Sequence, residues 1–406
     1  MAISTETWVQ AASFLGAGFS VGFGAIGAAL GEGYAAGKAS QAIGRNPAMS
    51  GAILKNMLIG QAVAESAGIF ALVIAMLLCF MDVQGAPMIE AFGLLGSGLA
   101  MGLAAIGSGA GGGYPAAEAC LGIADNPPTQ GALTTNMLIG SAVSQTPAIF
   151  GMVVAFMLMF MDWSGQPLWP GWAALLGAGL SVGLAAIGSG VGSGMPAGSS
   201  TAGMARQPGA ANQIRTNMLI GSAVSQTPAI FGMVVAFMLM FIDWNGQPPS
   251  PTWAALLGAG ISTGLSAIGP GLGNGFTAQE AAAGVARTPE ASGPITTTML
   301  IGQTVAQSTV IYGFLVSLIL LFIPRGASES MVAWAAPLSA GICMGFGGIG
   351  PGVGEGIAAA YTVNRIARDH QGISVLLTRV MLVGQAVSES TGIYALIVAL
   401  LLLFVV

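Results

Sequence analysis

The sequence predicts an all-α membrane protein built as five tandem transmembrane hairpins, ten helices in all. Three observations lead there. Of the 406 residues, 54% are hydrophobic and 6% are charged, against about a quarter charged in ordinary globular domains. One pattern returns five times at a period of about 81 residues. Each copy holds two apolar stretches longer than the roughly 20 residues that cross a bilayer as a helix.

The composition excludes several classes. So few charges cannot clothe a water-soluble enzyme, and disorder needs the opposite balance of charge and hydrophobicity. The 64 glycines follow no three-residue period, so a collagen is excluded. A net charge of −5 leaves no basic patch for nucleic acid. Cys79, Cys120 and Cys343 sit apart in apolar stretches, as small buried hydrophobes do. His370 lies in a polar loop and reads as solvated. No Lys or Arg precedes the first apolar run, so the start does not read as a cleaved signal peptide.

The repeats divide the chain into residues 1–84, 85–165, 166–246, 247–327 and 328–406. Asn56-Met57-Leu58-Ile59-Gly60 returns at 136–140 and 217–221, and more weakly at 298–302 and 380–384. A glycine pair recurs as Gly18/Gly22, Gly98/Gly102, Gly179/Gly183, Gly260/Gly264 and Gly341/Gly345. The turns are Arg45-Asn46-Pro47, Asp125-Asn126-Pro127, Arg206-Gln207-Pro208, Arg287-Thr288-Pro289 and the divergent 368–372. Without water to satisfy the backbone, the apolar arms should be helices. They lack the period-two alternation of a membrane barrel. The first arm of each hairpin is crowded with Gly and Ala, so backbones can approach closely and form a curved inner wall. The second arms, such as 69–81, are bulky and suit an outer wall against lipid.

Nine of the ten Lys and Arg flank the turns: Lys38, Arg45, Lys55, Arg206, Arg215, Arg287, Arg365, Arg368 and Arg379. Only Arg325 lies at the other side. The positive-inside rule places the turns in the cytoplasm and both termini outside. All seven tryptophans (Trp8, Trp163, Trp169, Trp172, Trp244, Trp253, Trp334) fall at the outer end, as an interfacial belt would.

Four carboxylates lie midway along apolar arms: Glu32 and Glu355 on first arms, Glu65 and Glu389 on second arms. A carboxylate inside the bilayer is costly and marks a functional site. Glu32 lies 15 residues before Pro47 and Glu65 lies 18 after it, so the two should meet at one depth. Glu355 and Glu389 repeat the arrangement. Two carboxylates in contact cannot both ionise without a cation between them. They share a proton or hold a cation. Ser66, Ser390 and Thr391 stand beside them with the oxygen ligands that hard cations prefer. In the middle hairpins Gln145, Gln226 and Gln307 replace the second-arm Glu, and Gly112, Ser193 and Asn274 the first. These hairpins read as inactive equivalents, with Pro147 and Pro228 expected to disturb the backbone where a site carbonyl is needed.

The stretches 31–39, 57–69, 350–356 and 384–394, with the Arg206-Gln207-Pro208 turn, resemble the proteolipid that forms the rotor ring (c-ring) of F-type ATP synthases. The resemblance runs five times along the chain. It implies a closed ring of further copies of this chain, turning against a stator a subunit with an essential arginine. Central-stalk subunits would dock on the cytoplasmic loops, in a bacterial, archaeal-type or organelle membrane. The transported ion would be Na+ or H+, with no organic cofactor and no enzyme activity of the chain alone. Hairpin five is similar to sodium-type members, with Pro351 four residues before Glu355. The resemblance implies that Glu355, Glu389, Ser390, the Val387 carbonyl and a water on Thr391 hold the ion, and that Tyr394 hydrogen-bonds Glu389. In hairpin one Glu32, Glu65, Ser66 and the Val63 carbonyl match, while Ala28, Ala67 and Phe70 depart. The resemblance also implies a site shared between adjacent hairpins, so that ligands can come from different repeats.

Rotor proteolipids of this family are usually single hairpins, whereas five are fused here with two charged sites, on the first and last. Closing chains end to end would bring those sites together in pairs. Fewer ions per turn suit an ATP-driven pump, since each ion works against about 2.3 kcal/mol per 100 mV. The alternatives are a proton-specific rotor, a purely structural ring element, or a ten-helix channel or secondary transporter. Transporters use broken helices and inverted repeats, whereas these repeats are parallel and read as continuous. The glycine run 107–113 lacks the Lys-Ser/Thr ending of a phosphate loop.

Overall fold

The computed structural model describes residues 4–324, 326–327, 332–369 and 372–405. Arg325, His370 and Gln371 lie outside them. Ten helical arms form five hairpins among the described residues. The first hairpin is α1 (Thr5–Arg45) and α2 (Ser50–Phe80), the second α3 (Glu90–Asp125) and α4 (Gln130–Phe160), the third α5 (Leu168–Arg206) and α6 (Ala211–Phe241). In the fourth, each arm is interrupted once: α7 (Pro249–Ser266) continues as α8 (Ile268–Arg287), and α9 (Ser292–Ala306) as α10 (Ser308–Phe322). The fifth is α11 (Ala335–Arg368) and α12 (Ser374–Phe404).

These interruptions correct the expectation of continuous helices. Pro270 cannot donate to the Ser266 carbonyl, and the first break falls there. The second falls at Gln307. Conversely, α4 and α6 run unbroken through Pro147 and Pro228. Nine arms are long and apolar enough to span a membrane among the described residues. The tenth, α11, is as long but is diluted by glycines, Pro337, Pro351 and Glu355.

The turns follow from their residues. Each of the first four first arms ends beside Asn46, Asn126, Gln207 or Thr288, whose N–H bonds back to the last helical turn. A proline then opens a single 3₁₀ turn (47–49, 127–129, 208–210, 289–291), where its missing N–H leaves nothing unsatisfied. Neighbouring turns are laced together. Asn46 Nδ2 donates to the Ala124 carbonyl at 3.1 Å, Asn126 Nδ2 to Ala205 at 2.9 Å, and Thr288 Oγ1 to Ala367 at 2.7 Å.

The five first arms pack side by side in chain order as one inner wall. Glycine makes this possible. A Cβ at Gly98, Gly179, Gly260 or Gly341 would collide with the backbone of Gly16, Gly96, Gly177 or Gly258 on the preceding first arm. Each of the first four second arms lies outside, against its own first arm and against that of the following hairpin. At the end opposite the turns, Trp172, Trp253 and Trp334 stack from arm to arm with ring centroids 5.5 and 5.7 Å apart. Trp163 and Trp244 depart from the expected belt. Both are buried, and their indole N–H groups close α4 and α6 by donating to the Leu158 and Leu239 carbonyls.

Candidate functional site

The site begins with a repeated clamp inside each hairpin. One turn before the second-arm Glu or Gln, a polar side chain donates to the carbonyl of the first-arm ligand position. Gln61 donates to Glu32 O at 3.1 Å, Ser141 to Gly112 O at 3.1 Å and Ser222 to Ser193 O at 3.0 Å. Gln303 donates to Asn274 O and Gln385 to Glu355 O, both at 3.0 Å. This bond holds both arms at one depth in all five hairpins. The carboxylates of Glu32 and Glu65 therefore interact electrostatically, as do those of Glu355 and Glu389.

The complete cluster lies between hairpins four and five. Glu355 is 0% exposed, and both of its carboxylate oxygens lack a hydrogen-bond partner. Thr309 Oγ1 of hairpin four is likewise buried and unpartnered, and Ser308 Oγ is buried beside the Tyr312 phenol. Thr309 packs on Gly392 beside Pro351, one turn from Glu355. The phenol of Tyr312, also from hairpin four, donates to Glu389 Oε1 in a short hydrogen bond. Two carboxylates, two hydroxyls and a phenol converge there, with several oxygens turned to no protein donor. Buried polar atoms are rarely left so. The set suits a proton or a small cation that prefers oxygen. Among the described residues no cluster of three His, Cys, Asp or Glu stands anywhere.

One expected partner of Glu389 differs in the structure. Its phenol is that of Tyr312, whereas Tyr394 is 62% exposed and Val387 68% exposed at the free side of α12. Ser390 Oγ and Thr391 Oγ1 turn back to the carbonyls of Val387 and Ser388 in their own helix. The reason is helical geometry. At roughly 100° per residue, positions −2, +1, +2 and +5 lie 100–200° round the helix from position 0. One helix cannot present its Glu and those groups to the same ion. The group that meets Glu389 is Tyr312, the equivalent of Tyr394 on the preceding second arm.

In hairpin one the pair is more open. Glu32 is half-buried and Glu65 exposed. Helix α2 packs against hairpin two, and Ser66 Oγ donates to Ala62 O at 3.3 Å. Across that interface Ala64 stands against Gly112, and hairpin two has Gly112 and Gln145 where hairpin one has Glu32 and Glu65. Ser308, Thr309, Tyr312 and the clamp residues were missed in the sequence. The five-fold recurrence of Gln or Ser just after the Ile-Gly or Val-Gly pair was the available signal.

The model of the family described as the ATP synthase C subunit matches five segments, 15–78, 95–158, 176–239, 257–320 and 338–402. The A-type ATP synthase subunit K of Methanocaldococcus jannaschii is 32% identical over 229 residues, 56% of this chain and 95% of that protein. The ATP synthase c subunit of Natranaerobius thermophilus is 51% identical over 78 residues, 19% of this chain and 90% of that protein. Its counterpart in Gloeobacter violaceus is 49% identical over 69 residues, 17% of this chain and 84% of that protein. The five matched segments coincide with the five hairpins and take up most of the residues, so the chain belongs to the ATP synthase C subunit family, with five copies of the family's hairpin in one polypeptide.

Proposed function

We propose that the chain is the rotor-ring subunit of a rotary ATPase, carrying Na+ on Glu389 with Glu355 and on Glu65 with Glu32. The observation that carries this reading is the cluster of buried, unpartnered oxygens between hairpins four and five. Glu389 and Glu355 supply charge, Ser308 and Thr309 supply hydroxyls, and Tyr312 orients Glu389. A proton could neutralise the same carboxylates, but the unpartnered hydroxyl of Thr309 favours a coordinated cation.

The ends of the chain fit one another. Gly18, Gly22 and Gly33 on α1 have nothing within 4 Å, although their equivalents in the other hairpins pack on a preceding first arm. Gly350 on α11 is open in the same way, although Gly107, Gly188 and Gly269 pack on a following one. A heterologous contact that repeats with rotation closes a ring. A second copy's hairpin five would then present Val387, Ser390, Thr391 and Tyr394 to this chain's Glu32 and Glu65. Charged sites occur in adjacent pairs separated by three blank hairpins. A stator arginine would discharge each in turn, and central-stalk subunits would grip the basic loops. The chain itself carries ions and catalyses no bond change.

Carbodiimide, which attacks protonated buried carboxylates, tests this on the purified ring. Glu65 and Glu389 should both be labelled, with sodium at fixed pH protecting both. Protection by raised pH alone would make the ion a proton, and no labelling would refute the rotor reading. Two charged sites per five hairpins also give few ions per turn, which suits an ATP-driven pump. Transported ions counted per ATP hydrolysed should fall below the ratio of a ring charged at every hairpin. A ratio at or above that value would contradict the pump.

A further inference from the structure

The blank hairpins show a regularity of their own. Gln226 Nε2 donates to the Val143 carbonyl at 2.9 Å. Asn274 Nδ2 donates to the Val224 carbonyl at 3.4 Å. Both bonds cross from one hairpin to the one before it. Both end on the carbonyl two residues before a second-arm Gln, the position that Val305 and Val387 hold in hairpins four and five.

That carbonyl is free for a reason. In an α-helix the carbonyl of residue i accepts from the N–H of residue i+4. For Val143 and Val224, residue i+4 is Pro147 and Pro228, which have no N–H. Each proline thus releases one carbonyl at the depth of the ion site, and a neighbouring amide takes it. Hairpin one supplies the contrast. Residue i+4 from Val63 is Ala67, which keeps its N–H. There Gln145 Nε2 leaves the interface and donates instead to Ser108 O in its own hairpin, at 3.2 Å. Amide and freed carbonyl go together at the two interfaces that follow a proline.

Resting on the rotor reading above, we infer that the sites between hairpins two and three and between hairpins three and four are latent cation sites. Each is plugged by the protein's own amide nitrogen, standing in for the ion. An amide N–H carries partial positive charge and meets the carbonyl as a cation would, yet the side chain is neutral. The plugged hairpin crosses the bilayer without taking up or releasing an ion. Around Gln226, the Val143 carbonyl, Thr146 and Ser193 would supply oxygens to a cation once a carboxylate replaced the amide.

The test uses the full chain as an assembled ring carrying Gln226→Glu. The ring is labelled with carbodiimide during a NaCl titration at fixed pH, and the labels are mapped by mass spectrometry, with Glu389 as internal reference. Position 226 should take up label, and NaCl should suppress it with half-protection within about tenfold of that at Glu389. If raised pH alone protects Glu389, the two midpoints should agree within about one pH unit. Should the variant not assemble, Asn274→Asp puts the same question to the next interface. A residue at 226 that stays unlabelled, or whose labelling ignores the ion that protects Glu389, overturns the plug while leaving the rotor reading standing. Loss of labelling at Glu389 in the unsubstituted ring would instead remove the reading on which the plug rests.

Discussion

Glu389 and Tyr312 show how a site is assembled from residues that no single repeat contains. The phenol donates to a carboxylate inside the bilayer, and such bonds to charged groups contribute about 1.5–3 kcal/mol. Tyr312→Phe removes the donor and little else. Sodium protection of Glu389 against carbodiimide should therefore weaken by about tenfold or more, measured on the assembled ring. The chemistry at this scale was legible in the sequence. Intramembrane carboxylates stand out against 6% charge, and their depths could be matched across a turn. The pairing was not legible, because it depends on which face of α10 meets α12. That ligands are shared between adjacent hairpins follows from the resemblance, but which repeat supplies each group needs the packed helices. The buried and unpartnered state of Thr309 likewise needed the packed hairpins.

At the scale of the elements, two devices set the geometry. The Gln or Ser clamp fixes depth within a hairpin, and glycine sets the spacing between hairpins. The glycine ladder was visible in the sequence as a recurring pair, and the pair falls where backbones meet. The break at Gln307 was not visible, since no proline or glycine marks it. The effect of Pro147 and Pro228 was misjudged. They leave their helices intact and free one carbonyl each. The open glycines of α1 give a prediction that separates folding from assembly. Nothing stands within 4 Å of Gly22 in its own chain, so Gly22→Val should leave the chain inserted and helical. It should prevent ring closure, because the equivalent Gly102 has no room for a Cβ beside Phe19 and Ser20. Native electrophoresis of detergent-purified protein would show single chains where the unsubstituted protein shows a ring. A ring of normal size from the variant would mean that α1 is not a closing surface.

For the molecule as a whole, fusing five hairpins makes the two charged sites unequal in origin. In the proposed rotor the site at Glu389 would be completed within one chain, with Tyr312 of hairpin four donating to Glu389. The site at Glu65 would be completed by a second copy's hairpin five. The exposure of Tyr394 and Val387 on α12 and of Glu65 on α2 are two halves of this one incompleteness. Assembly and ion binding are then coupled at one interface and independent at the other. The most direct measurement of this account is residue-resolved carbodiimide labelling of rings carrying Tyr394→Phe, titrated with sodium. The account predicts weakened protection at Glu65 with protection at Glu389 unchanged, the mirror image of Tyr312→Phe. Weakened protection at Glu389 with Glu65 unaffected would show that each hairpin completes its own site, and would contradict the account.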